Sequence, residues 1–222
     1  MKHPIALIHT SPAAIAPVVE YYGRMAPDLE LTNLLDDGIL RLFRAGRMEE
    51  SLARLDAMTA GARDGYGVEL ALATCSAITP AMAAGMERRA GIPVVKIDQP
   101  MAQAAVAAGR RVGVAVTFPP TEPVTRALLL EEAARQGVEV QIDAAVCPAA
   151  YDALLAGDAA RHDSLLIAAV GELAARGPDV IVLAQVSMAR ILPALAGKVA
   201  APVLTSLETS LAAVRARLRI QP

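Results

Sequence analysis

The sequence predicts an α/β protein made of two pseudo-symmetric parallel-sheet units that arise from an internal duplication. Three observations predict it. Short β-type runs alternate with longer Ala-rich segments of helical period, the pattern of parallel sheets carrying helices on both faces. Runs such as "VELALAT" (68–74) are apolar at every second position and between, as strands buried on both sides must be. The two halves can also be laid over one another nearly in register.

In chain order, "PIALIHT" (4–10) reads as a strand and 13–26 as a helix. "LELTNLL" (29–35) is a strand, and 48–64 has helical period with Leu52, Leu55 and Met58 on one face. After the 68–74 strand, Thr79 is placed to cap a helix whose first residue is Pro80. "IPVVKI" (92–97) completes the first set. The second set runs strand 111–117, helix 121–137 with Thr121 as its cap, strand 138–143, helix 159–177, strand 179–184 and strand 201–206. A last helix covers 207–219.

The repeat is visible in letters. "LATCSAI" from Leu72 matches "LAQVSMA" from Leu183, and "FRAG" ending at Gly46 matches "LLAG" ending at Gly157, both at an offset of 111 residues. Pro93 lies opposite Pro202, and Thr10 opposite Thr117. On this reading one unit spans 1–98 plus 207–222 and the other 99–206. Cys75 and Val186 then occupy equivalent positions, as do Ser76 and Ser187.

Composition narrows the function. A hydrophobic fraction of 55% built from small aliphatics suits folded cores rather than disorder. A net charge of −2 with no basic block argues against a nucleic-acid surface. No apolar run reaches the length of a membrane span, and two cysteines are too few for a disulfide scaffold. A cytoplasmic protein without a membrane partner is expected. There is no GxGxxG or Walker loop, and the three histidines show no metal spacing, so neither a cofactor nor a metal is expected.

Parallel sheets bind ligands beyond the carboxyl ends of their strands, and duplicated units facing one another would share a ligand cleft. The residues at those ends are His9, Thr10, Ser11, Thr74, Cys75 and Ser76 in the first half, and Thr117, Phe118, Gln185, Val186 and Ser187 in the second. Cys75 is the candidate reactive group, since a thiolate is the nucleophile or base and the helix from Pro80 offers a positive end nearby. His9 is the candidate partner base. Hydroxyls and backbone N–H groups at Thr10, Ser11, Thr74, Ser76, Thr117 and Ser187 suit a carboxylate and the enediolate that develops from it. Gln185 and Val186 line the same end. His3 and His162 read as surface residues, and Lys96 with Asp98 as a surface pair. Cys147 falls in a loop whose counterpart lies near Asp36 and Asp37.

These halves, with "TCSAIT" after the third strand and a "PVV" strand beyond it, resemble the aspartate/glutamate/hydantoin racemase superfamily, whose enzymes use no pyridoxal phosphate. The resemblance covers the whole chain and implies flavodoxin-like units, a small carboxylate substrate and a homodimer. Two-base members carry a cysteine in each half, and "TCSAIT" is similar to the first motif, commonly Cys-Asn-Thr or Cys-Ser-Thr. "LAQVSMA" is similar to the second, with Val186 read as standing where its cysteine would be. His9 likewise departs from relatives that have an acidic residue there. The resemblance therefore implies an isomerase acting through the single Cys75, next to a carboxylate or carbonyl, by proton transfer or covalent thiol addition. The alternatives are a one-thiol decarboxylase of the arylmalonate type and a catalytically silent small-carboxylate-binding protein. A covalent hydrolase ranks last, because no Ser-His-Asp motif is recognisable.

Overall fold

The structure, a computed structural model, describes residues 2–221. It divides into two compact units, Met1–Ile97 with Ser210–Pro222, and Asp98–Thr209.

The first unit contains strands β1 (His3–His9), β2 (Leu29–Leu35), β3 (Leu70–Ala73) and β4 (Val94–Lys96), all parallel in the order β2-β1-β3-β4. Every residue of β3 is buried, and β1 is buried from Ile5 to its end, which explains their uninterrupted apolar runs. β2 is an edge strand of mixed burial. Its helices are α1 (Ile15–Met25), α2 (Gly38–Arg44), α3 (Met48–Tyr66) and α4 (Pro80–Ala90). The buried stripe of α3 is Ser51, Leu55, Thr59 and Ala62, rotated from the expected face, so that Leu52 and Met58 are only partly covered. The two hydroxyls tolerate burial because Ser51 Oγ donates to the Arg47 carbonyl and Thr59 Oγ1 to that of Leu55. Thr79 caps α4 as expected, its hydroxyl accepting from Met82 N–H at 3.2 Å.

The second unit contains α5 (Gln99–Ala108), β5 (Arg111–Val116), α6 (Thr121–Gln136), β6 (Gln141–Val146), α7 (Pro148–Leu155), α8 (Ala159–Ala175), β7 (Val180–Leu183), α9 (Leu192–Leu195) and β8 (Val203–Thr205). A 3-10 segment, Val186–Ile191, follows β7. Its sheet is again parallel, in the order β6-β5-β7-β8. The helix α10 (Ser206–Leu218) begins in this unit and ends in the first. There Ser210 Oγ lies 2.9 Å from the buried Tyr22 hydroxyl, and Arg215 makes a paired contact with Asp28.

Several expectations are corrected. Strand β6 starts three residues later than read, because 138–140 carry the chain from the left-handed Gly137 cap of α6 to the sheet, and pairing begins at Arg111 with Gln141. Thr121 is the first residue of α6 rather than its cap, which falls on Pro120 without a side-chain bond. Helices α2, α5, α7 and α9 carried no expectation. The matched "AG" turns do correspond: Gly46 (φ 70°) and Gly157 (φ 78°) both take the left-handed conformation that glycine adopts without strain. Among the described residues, no helix is long and apolar enough to cross a membrane.

Candidate active site

The carboxyl edge of each sheet can be aligned by its own hydrogen bonds. In the first unit Ile8 pairs with Ala73, and the Thr74 N–H donates to the Ile8 carbonyl. In the second, Ala115 pairs with Leu183, and the Ala184 N–H donates to the Ala115 carbonyl. The turns that follow match as well, with Ile78 N–H donating to Cys75 and Met188 N–H to Gln185. The structural offset is therefore 110 residues. Cys75 is equivalent to Gln185, Ser76 to Val186, and Ala77 to Ser187. The pairing of Cys75 with Val186, and of Ser76 with Ser187, is corrected by one residue.

In the first unit Cys75 follows β3 at the margin of the core that contains Ile8, Ile39, Leu55, Ile78 and Met86, and is 9% exposed. The β1–β3 pairing ends at Ile8 with Ala73, and Thr10 and Cys75 each follow two residues later on the two neighbouring strand ends. Thr10 is buried, and Ser11 and Ser76 are half-buried. Among the described residues, the N–H groups of Thr10 and Ser11 have no hydrogen-bond acceptor. The Ser11 side chain receives the Ala13 N–H and caps a short 3-10 turn, Pro12–Ala14.

His9 is placed differently from a free base. Its side chain is wholly buried, with Nδ1 2.9 Å from Thr74 Oγ1 and Nε2 3.0 Å from Asn33 Oδ1. Asn33 Oδ1 can only accept, so the single N–H of a neutral ring is on Nε2, and the bare Nδ1 faces the Thr74 hydroxyl, which also lies 3.1 Å from the Ile8 carbonyl. Burial pushes the imidazole below its ordinary pKa of 6.5, against a smaller upward pull from Asn33. His9 is thus neutral at pH 7 with both ring nitrogens engaged. It orients Thr74, next to Cys75, and has no nitrogen left for a substrate proton. That environment argues against His9 as a free base. Asn33 was missed, although an asparagine inside the β2 run is unusual enough to notice.

In the second unit, three donors converge on one atom. Gln185 Oε1 accepts from Thr117 N–H (2.7 Å), the Thr117 hydroxyl (3.0 Å) and Phe118 N–H (3.2 Å). Backbone N–H groups can only donate, so the atom they meet is the amide oxygen and the orientation of the carboxamide is fixed. Thr117 is fully buried, while Gln185, Val186 and Ser187 are half-buried. The Phe118 ring packs on Tyr151 of α7, with centroids 4.9 Å apart, a contact the sequence did not announce. Cys147 precedes α7 and stands where Asp36 stands in the first unit, each N–H donating to the end of the neighbouring strand.

The remaining titrating groups lie elsewhere than read. His162 is buried, with Nδ1 2.8 Å from Asp163, rather than on the surface. Lys96 and Asp98 are both buried as well. Among the described residues, no three His, Cys, Asp or Glu side chains gather as a metal site would require.

The fold has many solved relatives of low sequence identity. A putative Asp/Glu racemase from Yersinia pestis superposes with a TM-score of 0.70 at 18% identity, covering 98% of this chain and 100% of its own. Picrophilus torridus aspartate racemase gives 0.69 at 14%, covering 99% and 95%. The maleate isomerase Iso from Pseudomonas putida S16 gives 0.65 at 16%, covering 99% and 94%. No curated protein matches by sequence. The family model for Asp/Glu/Hydantoin racemase matches residues 40–214, more than half of the chain and including both Cys75 and Gln185. The chain belongs to the Asp/Glu/hydantoin racemase family.

Proposed function

We propose that the protein is a cofactor-independent isomerase of small carboxylates that works through one thiol, Cys75. The observation that carries this reading is the correspondence of the two strand ends. In the second unit, Thr117 N–H, Thr117 Oγ1–H and Phe118 N–H hold an oxygen atom. The equivalent groups of Thr10 and Ser11 lie at the strand end next to that of Cys75, and their N–H groups have no acceptor among the described residues. A substrate carboxylate oxygen held there gains negative charge as an enediolate forms, the circumstance in which fixed donors stabilise a transition state most.

One thiol suffices for addition and elimination across a double bond conjugated to that carboxylate. The Cys75 thiolate forms a C–S bond to one alkene carbon, and the π electrons move onto the carboxylate as an enediolate. Rotation about the resulting single bond, return of the electrons and cleavage of the C–S bond give the other geometric isomer and regenerate the thiolate. Two-base racemisation is disfavoured, because Gln185, at the position equivalent to Cys75, does not titrate. Maleate is the first compound to try, given the likeness to a maleate isomerase.

The test is alkylation competition. Iodoacetamide should label Cys75 first, and maleate should slow that labelling while leaving Cys147 unchanged. Labelling of Cys75 that ignores every small carboxylate offered would remove the substrate from its neighbourhood.

A further inference from the structure

A series of hydrogen bonds behind Cys75, wholly within the first unit, starts at Asn33. We infer that Asn33 is a positioning residue for Cys75, acting through His9 and Thr74; the inference rests on Cys75 being the reactive thiol. The three side chains come from neighbouring strands, since β2, β1 and β3 lie side by side in the sheet. Asn33 Oδ1 takes the Nε2–H of His9 at 3.0 Å, which leaves Nδ1 bare and 2.9 Å from Thr74 Oγ1. The Thr74 hydroxyl has one proton and two acceptors within reach, Nδ1 and the Ile8 carbonyl. That carbonyl already receives the Thr74 N–H at 3.0 Å, whereas Nδ1 has no other donor. A buried acceptor without a donor is costly, so the hydroxyl proton goes to Nδ1. The Thr74 side chain is thereby held in one rotamer.

Its place in the chain carries this to the thiol. The bond from Thr74 N–H to Ile8 is the last backbone tie between β1 and the end of β3. Among the described residues the Cys75 N–H has no acceptor, and the next tie is Ile78 N–H to the Cys75 carbonyl. Cys75 therefore sits on a short backbone link whose direction Thr74 sets. Asn33 decides the arrangement because it fixes the tautomer. Without an acceptor at Nε2 the ring proton is free to move to Nδ1, and the Thr74 hydroxyl turns to Ile8. His9 and Thr74 are buried but Asn33 is exposed, so it can be changed without emptying the core.

Asn33→Leu, which is similar in size and offers no acceptor, is the test, read first by NMR of the isotope-labelled protein. In the wild type the His9 ring should show a protonated Nε2 and a bare Nδ1, and scalar couplings should show a single Cys75 χ1 rotamer. In Asn33→Leu the proton should move wholly or partly to Nδ1, and the Cys75 couplings should become averaged. Turnover of maleate is the second readout. A misdirected reacting group lowers kcat more than binding, so Asn33→Leu should lose roughly tenfold in kcat with KM changed by less than about twofold. Thr74→Val should reproduce that loss, while Thr74→Ser, which keeps the hydroxyl, should stay within about threefold of wild type. Two residues acting through one bond are not additive, so Asn33→Leu made on top of Thr74→Val should cost less than about twofold more. A protonated Nδ1 in the neutral wild-type ring overturns the inference, as does an Asn33→Leu protein with unchanged tautomer and Cys75 rotamer. Losses that add in the double variant overturn it too, marking a merely structural role. A wild type that converts no maleate would count against the one-thiol isomerase reading, and the ring and rotamer measurements would then decide the positioning role by themselves.

Discussion

The Thr74 hydroxyl lies 2.9 Å from His9 Nδ1 and 3.1 Å from the Ile8 carbonyl, so a buried, neutral imidazole holds the residue that precedes Cys75. Folding stability should depend on this. Burial lowers the folded pKa of His9 below its ordinary 6.5, so between those two values the unfolded chain binds the extra proton. Stability is complete above pH 6.5 and falls as pH drops through the window beneath it. Denaturant titrations at pH 7.5 and 5.5 should show the loss. His9→Gln should flatten that dependence and cost about 1–3 kcal/mol at pH 7.5, the range for disrupting a buried bonded group. An unchanged pH dependence in the variant would contradict the assignment.

A second acid-sensitive contact lies in the other unit. The Asp179 carboxylate accepts from the N–H groups of Arg111 (2.8 Å) and Arg110 (2.7 Å), which hold its pKa below the ordinary 3.8. The sign here places the loss lower: the contribution is complete above pH 3.8 and disappears as pH falls through the depressed folded value. Asp179→Asn should leave the His9 window untouched while removing part of the fall below pH 3.8. Melting curves across pH 2.5–7 separate the two variants.

The Thr79 cap anchors the helix that follows Cys75. Thr79→Ala removes the side-chain acceptor of Met82 N–H, and should cost about 1 kcal/mol. For a chain of this size that corresponds to a Tm lower by about 2–4 °C. Thr79→Ser should restore most of it, and a Ser variant as unstable as the Ala variant would argue that the lost methyl contact matters instead.

The strands were legible because most of them are continuous buried runs; β3 and β7 are buried at every residue. The edge strand β6 was not fixed in position, since "VEVQID" already alternates from Val138, three residues before pairing with β5 begins at Gln141. The candidate site was half legible. Cys75 and Gln185 both stood out, but they were not matched. Leu72 and Leu183 align by letter at 111, while hydrogen bonding matches Leu72 to Val182 at 110. Aliphatic residues are interchangeable along a buried strand, so letters cannot fix register to one residue. The acids before each strand, Glu69 and Asp179, do carry the correct spacing. The state of His9 was illegible for another reason: its partners, Asn33 and Thr74, are 24 and 65 residues away in sequence.

The central claim is that Cys75 alone carries the chemistry. Its most direct test is a proton NMR time course of maleate in deuterated water with wild type, Cys75→Ala and Cys147→Ala. The account predicts conversion to fumarate by wild type and by Cys147→Ala at similar rates, with a loss of at least about a thousandfold in Cys75→Ala, the scale expected when a covalent nucleophile is removed. Conversion, or exchange of substrate protons for deuterium, at equal rates in wild type and Cys75→Ala would contradict it.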